Sequence, residues 1–244
     1  METLDYKRQF TNAFDSVCRG HPKFAIWNDF IYMSAYALSN ACNYRQDRED
    51  DYLRIVKKYS KEEVNKIVEM LSFTVLALEE NREQDFLGQL YMHNGFGDER
   101  KGQHFTPYDI AMLMPNLAGS ERNENERYIT LNDSACGSGV MLIAFSNALI
   151  KSGANLHLEL FVVANDIDPC IALMCYVQLS LLGCAGYVTI RNTITEPVTG
   201  DVMYPPDDAF LTPLFFHPVW KLRRSLGIKP YKTTPIEEVI YEHS

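Results

Sequence analysis

The chain has no apolar run approaching the roughly 18 to 20 residues that a bilayer-spanning helix needs, so no stretch of it reads as a membrane span. Its opening residues, METLDYKRQF, lack an apolar signal core, and the reading is a cytoplasmic protein. Positive charge is also scarce: 23 Lys and Arg against 32 Asp and Glu leave a net charge of −9. A long nucleic-acid tract is held by clustered cations, so a chain that grips one unaided is disfavoured, whereas one whose grip comes from a partner is not. The cations that do cluster, Lys57, Lys58 and Lys61, then Lys221, Arg223 and Arg224, read as solvated helix faces. The six cysteines include no CxxC pair and have no His at ligand spacing. That argues against a metal site or a disulfide framework and leaves buried free thiols as the expectation. Cys136 stands apart inside a glycine loop, but a nucleophilic role would need a base that the neighbouring sequence does not supply.

What is present is the make-up of an ordinary globule. With 244 residues, 46% apolar and 23% charged, the chain can hold one large domain or two small ones. The first hundred residues read as helical. Residues 24–41 place Ile26, Trp27, Phe30, Ile31, Met33 and Ala37 close to helical spacing. The charged stretch YRQDREDDYLR follows as an exposed connection or helix start, and Ser60 with Glu63 forms a capping box ahead of Val64, Ile67, Val68 and Leu71. Residues 84–93 carry Phe86, Leu87, Leu90 and Tyr91 on one face. Residues 94–107, rich in Gly and charge, should form a loop of the kind that often carries function. A helix is expected over 108–117, with Thr106 as its N-cap and Pro107 at its first position.

From Tyr128 onward the pattern alternates: strand 128–132, helix 139–151, strand 158–164, helix 169–182, strand 187–191. Such alternation implies an α/β fold with a parallel, doubly wound sheet whose ligand lies beyond the carboxyl ends of the strands. The stretch YITLNDSACGSGVML, residues 128–142, is a strand, an acid and a glycine turn leading into a helix. Gly137 and Gly139 permit a tight turn and close approach of a ligand. Asp133 would repel a pyrophosphate, so the better fit is an amine-bearing nucleotide, one with an amino-acid tail. The next strand ends at Asn165 and Asp166, where an acid can take two ribose hydroxyls, and the third at Asn192 and Thr193, where an amide can read an adenine edge. Each polar strand end can also serve simply as a helix cap; three in register favour a cofactor site. The pattern then weakens, with a last helical stretch over 211–226 interrupted by Pro213 and Pro218.

These residues resemble the N6-adenine DNA methyltransferases, specifically the modification subunits of type I restriction systems. Residues 85–88, DFLG, are similar to the segment closing that family's N-terminal helical domain, GQHFTP at 102–107 to its GQFFTP signature, and DSACGSG at 133–139 to its DPACGSG loop, with Ser134 in place of Pro. The resemblance implies a helical domain over 1–100 and a Rossmann-like S-adenosylmethionine-binding domain over 101–244. It implies a cofactor site in which Gln103, His104, Phe105, Thr106 and Pro107 line the methionine end. The loop residues Asp133, Ala135, Gly137, Ser138 and Gly139 follow, then Asp166 with Ile167 at the ribose, and Asn192 with Thr193 at the adenine. No metal is implied.

The departure lies beyond the third strand. The family places there a fourth strand ending in Asn-Pro-Pro-aromatic, whose amide and ring hold a flipped-out adenine in line with the methyl donor. Here the only Pro-Pro is Tyr204-Pro205-Pro206-Asp207, so no catalytic residue is assigned and the chain reads as C-terminally truncated or degenerate. The sheet would keep its cofactor half, with an open edge on its first strand unless the C-terminal segment, a second copy or another chain covers it. An adenine-specific DNA methyltransferase, reaching DNA through a companion specificity chain, is one expectation. A silent S-adenosylmethionine-binding subunit or regulator is the other, and a small-molecule or protein methyltransferase is the third.

Overall fold

The computed structural model describes residues 5–97, 105–114, 128–198 and 200–228. Its N-terminal part is a packet of helices. α1 (Tyr6–Val17) is capped by Asp5, whose carboxylate accepts from the Arg8 amide at 3.0 Å, and buries Phe10, Ala13, Phe14 and Val17 at helical spacing. α2 (Lys23–Cys42) buries residues on most of its circumference and lies in the middle of the packet. The charged stretch after it is more than a connection: it forms α3 (Gln46–Val56), which turns Arg48 and Ile55 inward. α4 (Lys61–Glu80) starts at the expected capping box, with Ser60 Oγ accepting from Glu63 N at 3.3 Å and Glu63 Oε2 accepting from Ser60 N at 2.7 Å. α5 (Phe86–His93) is capped by Asp85.

The helix start after the loop differs from expectation. Pro107 is itself the N-cap, extended at φ −57° and ψ 142°, and no side chain caps α6 (Tyr108–Ala111). Residues 115–117 of the expected helix lie outside the described residues.

The sheet has the order β1-β2-β3-β4, with β1 (Ile129–Asp133), β2 (Leu160–Asp166) and β3 (Ala185–Ile190) parallel and β4 (Phe210–Leu211) antiparallel to β3. α7 (Val140–Lys151) with the short α8 (Leu156–Glu159) connects β1 to β2, and α9 (Pro169–Leu181) connects β2 to β3. The second strand starts two residues later than the periodicity suggests because 156–159 closes a helical turn first. The third starts two residues earlier, at Ala185.

Alternation of side chains divides the sheet into two packed faces. Leu131, Val162, Ala164 and Val188 join the large core formed by α7, α9 and the N-terminal helices. Tyr128, Phe161, Val163 and Tyr187 face the other way, against Met203, Ala209, Phe215 and Trp220. The C-terminal segment therefore covers a face of the sheet. Among the described residues, nothing pairs with the outer edge of β1.

Pro213 and Pro218 do not interrupt a helix; each begins one, a 3-10 turn (Pro213–Phe216) and α10 (Pro218–Ser225). Two of the cations expected on a solvated face are engaged inside this cover. Arg223 stacks on Tyr128 and Trp220, while Arg224 lies 3.8 Å from the Phe215 ring centroid and donates to the Phe215 carbonyl. The thiols are also less uniformly placed than expected: Cys136, Cys170, Cys175 and Cys184 are buried, Cys18 is half-buried and Cys42 is exposed, since it closes α2.

Candidate functional site

The carboxyl ends of the three parallel strands bring Asp133, Asp166 and the Asn192 turn to one end of the sheet. The turn after β1 is built on two left-handed glycines, Gly137 at φ 55° and Gly139 at φ 96°. At Gly139 a Cβ would stand 2.8 Å from Cys175 Sγ, so this position accepts only glycine without a shift in α9. Cys136 N donates to the Asn165 carbonyl at 2.8 Å, and Gly137 N donates to Asp166 Oδ2 at 2.9 Å. The loop from the first strand is thereby tied to the end of the second.

Asp166 accepts a second backbone bond, from Asp168 N at 2.9 Å, and burial raises its pKa against these two amides. Asp133 is raised to about 6, first by burial and then by the charge of Asp166, with only the Ala135 amide acting the other way. No cation lies against Asp133 among the described residues. A partly buried carboxyl with no cationic partner among the described residues suits a ligand that carries an ammonium group. The donor set thus fits S-adenosylmethionine: an acid for the amine, glycine backbone for close approach, an acid for the ribose. Ile167, 65% exposed beside Asp166, offers an apolar surface for a base.

The other expected site residues are distributed unevenly. The Phe105 ring lies 3.7 Å from where a Cβ of Gly137 would stand and stacks on Tyr91 at 5.5 Å, and Thr106 and Pro107 lead from it into α6. Gln103 and His104 lie outside the described residues. Ala135 sits in the turn, its amide engaged by Asp133. Ser138 is turned inward, its hydroxyl donating to Asp85. Asn192 spends Oδ1 on the amides of Ile194 and Thr195, and Thr193 donates its hydroxyl to the Ser134 carbonyl at 2.7 Å. Cys136 is held well above the usual thiol range by its contact with Cys175 and by burial, which removes the thiolate a nucleophile needs.

Residues 82–222 match the family described as N-6 DNA Methylase. The chain belongs to that family. The matched stretch begins just before Asp85 and runs through the glycine loop, Asp166 and the C-terminal cover, while α1 to α4 precede it. Among solved structures it is similar to a protein described as a class I S-adenosylmethionine-dependent methyltransferase from Listeria monocytogenes, at 14% identity and TM-score 0.45 over 84% of this chain and 62% of that one. It is also similar to a type I restriction-modification methyltransferase subunit from Streptococcus thermophilus, at 18% identity and TM-score 0.39 over 71% of this chain and 41% of that one. The chain therefore spans less than two thirds of the length of either. No curated protein matches it.

Two residues organise this end of the sheet in roles that the sequence does not assign, although it marks Asn165 as a polar strand end. Asn165 donates through Nδ2 to Arg191 O at 2.9 Å and Thr193 Oγ1 at 2.6 Å, and accepts from Thr189 Oγ1 at 2.8 Å. Gln178, in the middle of α9, donates to Asp85 Oδ1 at 2.8 Å and to the Ser138 carbonyl at 2.9 Å. A fully buried Gln in an otherwise apolar helix was the available signal.

Proposed function

We propose that this chain holds S-adenosylmethionine for an adenine-N6 DNA methyltransferase of the type I modification-subunit kind, with a helical portion over 1–100 and the cofactor portion over 101–244. The observation that carries it is the juxtaposition of the Asp133 carboxyl, which has no cationic partner among the described residues, with the Gly137–Gly139 turn and with Asp166, to which the Gly137 amide ties the turn. Bound S-adenosylmethionine would supply an electrophilic methyl on its sulfonium. Asp133 would take the ammonium of the amino-acid tail and Asp166 the ribose hydroxyls. Ile167 would lie against the adenine, which Asn192 would meet with its Nδ2, since Oδ1 is engaged by its own loop. Gln103, His104, Phe105, Thr106 and Pro107 would line the methionine end, with the Phe105 ring beside Gly137.

On this reading the acceptor adenine is held largely by groups from elsewhere. The Pro205-Pro206 segment is fastened to α3, with Arg45 donating to the Asp207 carbonyl and Arg48 to those of Asp208 and Ala209. Tyr204 donates its hydroxyl to the Arg224 carbonyl. That segment offers no amide and ring in the arrangement that an adenine needs. We therefore favour a protein that acts on DNA in the cytoplasm with a companion specificity chain or a second copy. Calorimetry with S-adenosylmethionine, then incorporation of labelled methyl into duplex DNA with and without such a chain, tests it. Binding with incorporation only in company is expected. Binding without incorporation in any combination supports the silent subunit instead, and no binding overturns the cofactor site.

A further inference from the structure

The N-terminal helices reach the glycine loop through one buried acid. Asp85, the N-cap of α5, is 3% exposed, and its carboxylate accepts from three donors: the hydroxyl of Ser138, Nε2 of Gln178 at 2.8 Å and the amide of Gly88 at 2.9 Å. Gln178 closes the knot by donating also to the Ser138 carbonyl at 2.9 Å and accepting from Leu87 N at 3.1 Å. Gly88 has no room for a side chain, because a Cβ there would stand 1.9 Å from Asp85 Oδ2 and 2.5 Å from Ser138 Oγ. Ser138 lies between the two glycines whose left-handed backbone shapes the turn. An apolar link runs beside this polar one, from Trp27 through Tyr91 to Phe105 and on to Gly137, with ring centroids 5.9 Å and 5.5 Å apart.

We infer that Asp85 is a positioning residue for the cofactor loop: by holding the Ser138 hydroxyl directly, and the Ser138 carbonyl through Gln178, it sets the loop for S-adenosylmethionine and couples α5 to occupancy of the site. This rests on the cofactor reading above. The chemistry is directional. Ser138 has one hydroxyl proton and spends it on the core, so the loop backbone faces outward with its Gly137 amide on Asp166. A cap chosen only for α5 would need the Gly88 amide alone; the Ser138 and Gln178 bonds are surplus to that task.

The test uses the full chain and three variants, Asp85→Asn, Ser138→Ala and the double substitution. S-adenosylmethionine affinity is measured by calorimetry, and amide exchange over residues 85–93 is followed with and without ligand. Ser138→Ala removes a single oxygen and keeps the fold testable if Asp85→Asn does not fold. Each single variant is expected to lose about tenfold or more in affinity. The double variant should lose little more than either, because the pair acts as one unit. Ligand should slow exchange at α5 in the unsubstituted protein, and less so in Ser138→Ala. Unchanged affinity in the variants alongside a lowered melting temperature would reduce the knot to a structural role and overturn the inference. Absence of binding by the unsubstituted protein would remove the cofactor reading itself, and this inference with it.

Discussion

The Gly137 amide donates to Asp166 Oδ2 at 2.9 Å, joining the turn after the first strand to the acid at the end of the second. The carboxylate is therefore both a candidate ligand for the ribose and a brace for the loop. Loss of it acts on the site twice, once by removing an acceptor and once by releasing the turn.

Asp166→Ala should weaken S-adenosylmethionine binding by about tenfold or more, since a bond to a charged group contributes roughly 1.5–3 kcal/mol. Isothermal calorimetry checks this, and an unaltered dissociation constant would mean that the ribose end lies elsewhere.

Asp133 predicts opposite pH trends for stability and binding. Its pKa is raised from 3.8 to about 6 by burial and by Asp166. An acid held more strongly protonated in the folded state makes its contribution to stability at low pH, and that contribution is lost as pH rises through this window. Ligand affinity should rise over the same interval, because an ammonium group favours the ionised carboxylate. Asp133→Asn should flatten both curves, raising the melting temperature near neutral pH while weakening binding. Melting and calorimetry from about pH 4 to about pH 7, which spans this window, decide the matter; parallel trends would contradict it.

Trp220→Ala should uncover the second face of the sheet. The indole is fully buried, meets the rings of Tyr128 at 5.2 Å and Phe161 at 5.3 Å, and donates to the His157 carbonyl at 2.8 Å. Truncation of such a side chain costs about 3–5 kcal/mol. Urea denaturation should report this loss, and a change under about 1 kcal/mol would show that the C-terminal cover is dispensable.

What the sequence by itself determined was local. The period of apolar residues, the glycines at 137 and 139 and the acids at the strand ends marked the alternating strands and helices and the end of the sheet that matters. These signals act over a few residues, through backbone sterics and hydrogen bonds to near neighbours. The Ser60–Glu63 box is legible for the same reason. Strand starts were less so, because whether 156–159 or Leu160 opens β2 depends on pairing with β1. Only the tertiary structure decided that Ser138 turns inward to an acid 53 residues away, and that Gln178 meets the same acid 93 residues away. It also decided that Arg223 and Arg224 stack on rings, and that prolines 213 and 218 begin helices over the sheet's second face. The elevated pKa of Asp133 belongs with these, since dehydration and a second carboxylate arrive only when two strand ends pack side by side. The residue types declared the kind of chemistry; burial and long-range pairing set which of their atoms remain available to perform it.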